Sequence, residues 1–431
     1  MSALPHAARS PGRLAIAGGA PVRSPDRPWP TWPQPAPGAA AALAAVLDSG
    51  RWAISSPRCG GELYERRFAR LFSQYLDVAH CVPVDHGSSA LVIALESLGL
   101  SHGDVVLVPA LTWVATASAV LRAGLVPVLT DVSPETGCIE ADGLDLDVDP
   151  GAVIVVHWSA VMADVPAITA AVDSRGIVVI EDAAQAHGAQ WLGRHAGTIG
   201  RLGCFSMQNG KVLTCGEGGA VVTDDEHLAG VLEELRADSR RYRSDEARPG
   251  ELDLVETATV QGANFCLDEF SAALLCAQLG MLDAQHDIRN RNYARLGELL
   301  ADVPGVRLLC PLPQQNRISV YEAPIVFDDL PEGRSNRDLA DALTAELGVR
   351  FYPPREPLDR SHLLRPSTKP ALASLAQRFH ELHRGRHFPH AERMAGHAVL
   401  THHSTFLGDE EDMVDIAAAV AKVVAANEGG W

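Results

Sequence analysis

Basic residues are in deficit: 36 Lys and Arg stand against 54 Asp and Glu over 431 residues, a formal charge of −18. A surface of that sign repels phosphate backbones and anionic lipid, which sets nucleic acid and membrane surfaces aside as partners. No apolar run approaches the length of a membrane-spanning helix. The opening MSALPHAARSPGRLAIAGG has no continuous apolar stretch of the kind a secretion signal needs. None of the eight cysteines forms a CxxC, and a chain this long does not depend on disulfides for its core. They read as reduced thiols of a cytoplasmic protein. Internal repeats and low-complexity tracts are missing too. No GxGxxG follows the early strands, which disfavours a nicotinamide dehydrogenase.

What is present is an ordinary soluble balance, 47% hydrophobic and 21% charged, in a chain long enough for two or three domain-sized units. Residues 1–38 are rich in Pro and Gly and predict an extended arm lying over its own domain or a partner subunit. Helices are predicted at Ala39–Leu47 and Glu62–Leu76. From Val82 to Asp224 short β-rich runs alternate with helical patterns. Strands are expected at Val105–Val108, Val126–Thr130, Ala152–Val156, Ile177–Ile180, Cys204–Met207 and Ala220–Thr223. Runs such as VVLV and IVVI are continuous, as in parallel strands covered on both faces. Helices at Ser89–Leu98, Trp113–Arg122 and Val165–Ser174 fall between them. The pattern predicts a doubly wound α/β domain. A helical stretch, Leu267–Leu300, leads out of it. A smaller α+β domain follows, with a strand near Tyr321–Phe327 and helices near Asn336–Leu347 and Glu410–Ala425. The expected division is an arm at 1–38, a large domain at 39–290 and a small domain at 291–431.

Three features converge on one cofactor. In DHGSSALVIALESLG a Gly-Ser-Ser turn opens a helix after a short apolar strand. Free N–H groups and the helix dipole make that end an anion site, and Ser88 and Ser89 add hydroxyls. The same triplet is also an ordinary helix start. In VVIEDAAQAHGA a buried strand ends in an acidic pair. At the carboxyl end of a parallel strand, Asp182 can hold a pyridinium nitrogen protonated, with Gln185 near a ring hydroxyl; Asp182 equally suits a helix cap. In GCFSMQNGKVLTCGEGG a strand delivers Ser206 and then Lys211 among apolar residues and glycines. A desolvated lysine has a lowered pKa and can condense with an aldehyde, whereas an isolated lysine is more often solvated.

The order GSSA, TW, EDAAQAHGA, FSxxxxK and GEGG resembles the fold-type-I, pyridoxal-phosphate-dependent aminotransferases of the DegT/StrS family, from Gly18 to the C-terminus. That resemblance implies a large domain with a mostly parallel central sheet and a smaller C-terminal α+β domain. It implies that Lys211 holds pyridoxal phosphate as a Schiff base and serves as the catalytic residue. Ser88, Ser89 and Ser206 would bind phosphate, Trp113 would stack on the ring (an aromatic after a strand is otherwise often core), and Asp182 would pair with the ring nitrogen. Asn264 would reach the phosphate of a neighbouring subunit, which implies a homodimer with shared active sites. YPPREPLDRSHLLRPSTKP and THHSTFLGDEED look most like the L-glutamine:scyllo-inosose aminotransferases of aminocyclitol antibiotic pathways. This points to a keto-cyclitol acceptor, with His157, Tyr352, Arg355, His402 and His403 as substrate contacts.

Three departures lie near the expected pocket. HWSAVMAD replaces the family's His-Leu-aromatic-Gly turn, Cys266 stands where many relatives carry arginine, and Asn209-Gly210 precedes the lysine. The alternatives are amination of a nucleotide-linked keto-sugar and a non-catalytic regulator that binds cofactor or sugar. A dehydratase of this family would carry histidine in place of Lys211.

Overall fold

The computed structural model describes residues 13–429 and Trp431, so the first twelve residues of the expected arm lie outside the described residues. Two helices lead in, α1 (Ala39–Ser49) and α2 (Tyr64–Leu76). Then come β1 (His80–Val84), α3 (Gly87–Glu96), β2 (Val105–Pro109), α4 (Ala115–Arg122), β3 (Val126–Thr130), β4 (Pro150–Val156), α5 (Val165–Val172), β5 (Val178–Asp182), β6 (Leu202–Ser206) and β7 (Gly219–Thr223). The seven strands form one sheet in the order β1-β7-β6-β5-β4-β2-β3. Only β7 runs against the others, paired antiparallel with both β1 and β6. The continuous apolar runs explain the layering: every residue of β2 and β3 is buried, as strands covered on both faces must be.

The expected strands are found within two residues at each end. The most telling shift is in β5, which runs on through Glu181 and Asp182 because both remain paired, Glu181 with Val155 and Asp182 with Val156. The acidic pair therefore belongs to the strand, and alternation sends its two side chains to opposite faces.

After β7 come α6 (Glu226–Arg236), α7 (Glu269–Leu279) and α8 (Leu282–Leu300). The stretch expected to be helical from Leu267 is thus two helices with Gly280 and Met281 between them. A second, wholly antiparallel sheet has the order β8-β9-β11-β10, from β8 (Val306–Leu308), β9 (Glu322–Phe327), β10 (Phe351–Tyr352) and β11 (Ala398–His402). The helices of this half of the chain are α9 (Asn336–Leu347), α10 (Ala373–Leu382), α11 (Pro389–His397) and α12 (Glu410–Gly429).

The hydrophobic cores do not follow a cut at residue 290. Helix α8 crosses that position unbroken, and its Leu296 and Leu300 pack with Ile325, Leu343, Val399 and Val420 in the second core. Leu358, Leu375, Phe379 and Met394 turn back and join the core of the seven-stranded sheet.

The arm lies over its own chain. Arg23 Nη1 is 2.7 Å from Asp412 and 2.9 Å from Asp415, and the guanidinium sits 3.8 Å from the Trp29 ring. Buried Glu346 accepts the backbone N–H groups of Ala15 and Val22 at 2.8 and 3.0 Å and the Lys422 ammonium at 2.8 Å. Removing one partner of a buried ion pair leaves the other unpaired, at a cost of about 3 kcal/mol. Arg27 also pairs with Asp412 and Asp415, at 2.9 and 3.1 Å, so Arg23→Ala combined with Arg27→Ala should lower unfolding free energy in urea by about that amount, and limited proteolysis should cut the arm first. Full retention of stability would show that the arm contributes nothing.

Candidate active site

The carboxyl ends of the parallel strands gather the chemistry. Asp182, the last residue of β5, is 7% exposed. Its Oδ2 accepts the Thr116 hydroxyl at 3.0 Å and its Oδ1 accepts the Ala184 N–H at 3.2 Å. Burial raises its pKa, while those two hydrogen bonds and the Lys211 charge oppose the rise. A protonated pyridine nitrogen beside it would offset that desolvation. The first turn of α4 supplies Thr116, and just before it Trp113 stands 47% exposed, so it is not a core residue. The Arg355 guanidinium carbon lies 4.9 Å from the Trp113 ring centre.

Glu181 faces the other way and is wholly buried. It accepts His157 Nε2 at 2.8 Å and the N–H groups of Gly197, Ile199 and Gly200 at 2.8, 2.6 and 2.6 Å. Burial works to raise its pKa, but the His157 hydrogen bond and charge and the backbone donors outweigh it and hold the pKa below the usual range. His157 Nδ1 accepts the Ala163 N–H at 3.2 Å, so both ring nitrogens are used inside the protein and the ring is 1% exposed. The expectation that His157 touches substrate is corrected: it braces Glu181 beneath the sheet.

At the opposite end of the crevice α3 begins without any capping side chain. Its N–H groups are left to an anion. Ser89 is buried in this first turn and Ser88 is exposed. Close approach is built in by two glycines: a Cβ on Gly87 would sit 2.5 Å from the Ser206 Cβ, and one on Gly219 would sit 2.6 Å from the His86 carbonyl carbon. The helix start and Ser206 therefore line one cradle.

Lys211 follows β6 through a tight turn, its Nζ 4.2 Å from the Tyr321 ring centre. Burial lowers its pKa to about 8 against the opposing charges of Asp182 and Glu322. Gln185 Oε1 accepts the Ser159 N–H at 2.6 Å, which fixes the amide and leaves Nε2 as its donor end. Ser159 lies in the departing HWSAVMAD turn and takes a left-handed φ of 58° without being glycine. Tyr352 donates to Glu322 Oε1 at 2.8 Å. Tyr321, Glu322 and Thr116 are functional-site residues that sequence patterning does not mark, because each reaches the lysine or Asp182 from a distant element.

Asn264 and His403 stand apart from the crevice, whereas His402 lies opposite Glu322 across β9 and β11. Asn264 is exposed, its Oδ1 accepting the Cys266 N–H at 3.2 Å. The Cys266 thiol points at the Arg236 carbonyl, 3.3 Å away, with its pKa pushed up by burial. His402 is half-buried and pairs its Nδ1 with Ser404 Oγ at 2.9 Å. His403 is wholly buried and bonds the Gly210 carbonyl at 3.2 Å, which removes it from the substrate contacts.

An amine that can condense with an aldehyde, a carboxylate awaiting a cation, an uncapped helix start and an exposed indole fit a phosphorylated pyridine aldehyde. The sequence profile of the DegT/DnrJ/EryC1/StrS aminotransferase family matches residues 38–420. The chain belongs to that family. It is accordingly an aminotransferase that uses pyridoxal phosphate. An L-glutamine:2-deoxy-scyllo-inosose aminotransferase of Streptoalloteichus tenebrarius is 46% identical over 96% of this chain and 98% of its own. The L-glutamine:scyllo-inosose aminotransferase of Streptomyces griseus is 40% identical over 95% and 97%. Among solved structures, 3-amino-5-hydroxybenzoic acid synthase superposes with a TM-score of 0.78 at 28% identity, covering 92% of this chain and 99% of that one.

Two outcomes follow from the geometry. Only a neutral amine adds to an aldehyde, so uptake of pyridoxal phosphate by the cofactor-free protein should quicken as pH rises through about 8. About a tenth of the plateau rate is expected at pH 7 and about nine tenths at pH 9; a rate flat across that span contradicts the lowered lysine pKa. Gly87→Ala should force α3 off Ser206 and weaken cofactor retention at least about tenfold, read by release into buffer. Unchanged retention would place the phosphate elsewhere.

Proposed function

We propose that this enzyme moves the amino group of L-glutamine onto a keto-cyclitol of the 2-deoxy-scyllo-inosose or scyllo-inosose type, in aminocyclitol antibiotic biosynthesis. The observation that carries the reading is the 46% identity across 96% of the chain to a relative of that name. The wall facing Lys211 supports it, since the Glu322 carboxylate and the Tyr352 hydroxyl suit a ring bearing many hydroxyl groups.

In this reading Ser88, Ser89, Ser206 and the start of α3 hold the phosphate, Asp182 keeps the ring nitrogen protonated, Trp113 covers the ring and Gln185 donates to its hydroxyl. Bound pyridoxal phosphate supplies an electron sink for the carbanion left when an amino acid loses its α-proton. Lys211 Nζ removes that proton from the donor, and in the second half-reaction it returns one to the acceptor carbon. Arg355, beside Trp113 at the mouth, is placed for the donor carboxylate, with His402 near the acceptor. The enzyme works as a homodimer in which Asn264 of each subunit reaches the phosphate of the other. Exposed Leu47 and Trp52 support an apolar contact between subunits. Eight unpaired thiols support a cytoplasmic location, and no described helix is long and apolar enough to cross a membrane. The parts of the chain are the arm, a large cofactor-binding domain and a small domain that share α8 across residue 290, with residues 358–394 packed back on the large one.

The test offers L-glutamine with 2-deoxy-scyllo-inosose, scyllo-inosose and a nucleotide-linked 4-keto-sugar, with amines followed by mass. Both cyclitol ketones should be aminated with ping-pong kinetics and the nucleotide-linked sugar left untouched. Preferential amination of the nucleotide-linked ketone would sink the cyclitol reading.

A further inference from the structure

The turn that ends in Lys211 is closed internally by two bonds to Gln208: the Gly210 N–H to its side-chain oxygen and the Lys211 N–H to its carbonyl, both 2.8 Å. The carbonyls of Asn209 and Gly210 join no strand. Each meets a side chain from far away in the sequence. Trp32 of the arm donates its indole N–H to the Asn209 carbonyl at 3.0 Å, and His403 Nε2 lies 3.2 Å from the Gly210 carbonyl.

The proton on His403 has only one place to be. Its Nδ1 is 3.1 Å from Arg289 Nη2, and a guanidinium only donates, so Nδ1 accepts and Nε2 carries the hydrogen toward Gly210. Arg289 is wholly buried with no carboxylate in ion-pair range among the described residues. Burial lowers its pKa to about 9. Protonating His403 would set a second positive charge against it, so the imidazole stays neutral, and burial and the Arg289 charge both push its pKa down. The Trp32 ring stands edge-on to His403, centroids 4.5 Å apart, and the Arg289 guanidinium lies 5.3 Å from the Trp32 ring centre. Two elements distant in sequence, the arm and the exit of β11, thus reach two peptide carbonyls, and Arg289 of α8 sets the imidazole and indole that do so.

We propose that Trp32, His403 and Arg289 are positioning residues for Lys211: Trp32 and His403, both held by Arg289, clamp the carbonyls of Asn209 and Gly210 and so fix where the amine stands when it is not joined to the cofactor. None of the three is assigned to substrate or cofactor. A lysine that leaves and rejoins its partner in each turnover needs a backbone that does not move with it, and a misplacement of 1 Å can cost two orders of magnitude in rate. The clamp also gives the atypical Asn209-Gly210 step a purpose, since it presents both carbonyls outward. The inference rests on Lys211 being the residue that holds pyridoxal phosphate.

The test uses the cofactor-loaded enzyme and the variants His403→Leu, His403→Gln and Trp32→Phe. It reads kcat, both KM values and the pH midpoint of the absorbance band of the lysine-bound cofactor. The groups whose charge is felt by or from Lys211 (Asp182, Glu322 and His187) and the Tyr321 ring beside Nζ are unaltered in all three. His403→Leu should lower kcat about tenfold or more, leave both KM values within about twofold and move the midpoint by about half a pH unit or more. His403→Gln can accept from Arg289 and donate to Gly210, and should recover most of the rate. Trp32→Phe, which keeps an aromatic ring without the N–H, should change rate and midpoint in the same direction by less. Should His403→Leu fail to fold, Trp32→Phe and His403→Gln carry the test. Unchanged kcat and midpoint in Trp32→Phe and His403→Leu, or a loss that glutamine does not rescue, would overturn the proposal. Absence of the band from the unaltered enzyme would instead overturn the assignment of Lys211.

Discussion

A primary amine is a nucleophile only without its proton, yet an amine stripped of water needs something nearby to keep it in place. Lys211 meets both demands. Burial favours the neutral form, while Asp182 from one sheet and Glu322 from the other keep the charged form from being lost altogether. The Tyr321 ring lies across the end of the side chain. Every other feature of the crevice is arranged with respect to this balance. The seven-stranded sheet supplies the carboxylate that would face a ring nitrogen, and the four-stranded sheet supplies the second carboxylate. Separating the two sheets would leave the lysine an ordinary solvated cation.

The adjacent carboxylates of β5 show how a single strand serves structure and chemistry together. Glu181 is saturated with four donors and is inert, a buried charge fully compensated from within. Asp182 has only two and carries the cost of desolvation. The pleat decides which is which, because successive side chains leave on opposite faces.

Much of this was legible in the sequence because the fold writes its site into local motifs at strand ends. The runs of β2, β4 and β5, the Gly-Ser-Ser start of α3 and the lysine after β6 are all contiguous patterns, and the sheet places them as those patterns predict. What stayed hidden depends on contacts between remote segments. Glu322 is simply the first residue of a strand, and nothing beside it in the chain distinguishes it from a surface glutamate. The family resemblance pointed to His157 and His403 as substrate contacts, but the sequence could not say that their partners are internal. The cut at residue 290 reads naturally as the middle of a helical stretch; packing ignores it, since α8 belongs to both halves and residues 358–394 return to the first core. Trp32 in the arm gave no local sign of its bond near Lys211.

The arm meets segments far from it in the chain. Arg23 pairs with Asp412 and Asp415, Trp29 donates to the Leu347 carbonyl at 2.8 Å, and Trp32 sits against His403. Arg23 and Asp412 are 389 residues apart, and closing a loop of that length is slow compared with pairing neighbouring strands. The arm is therefore expected to dock after the seven-stranded sheet has formed, and the lysine turn to gain its two outer anchors last.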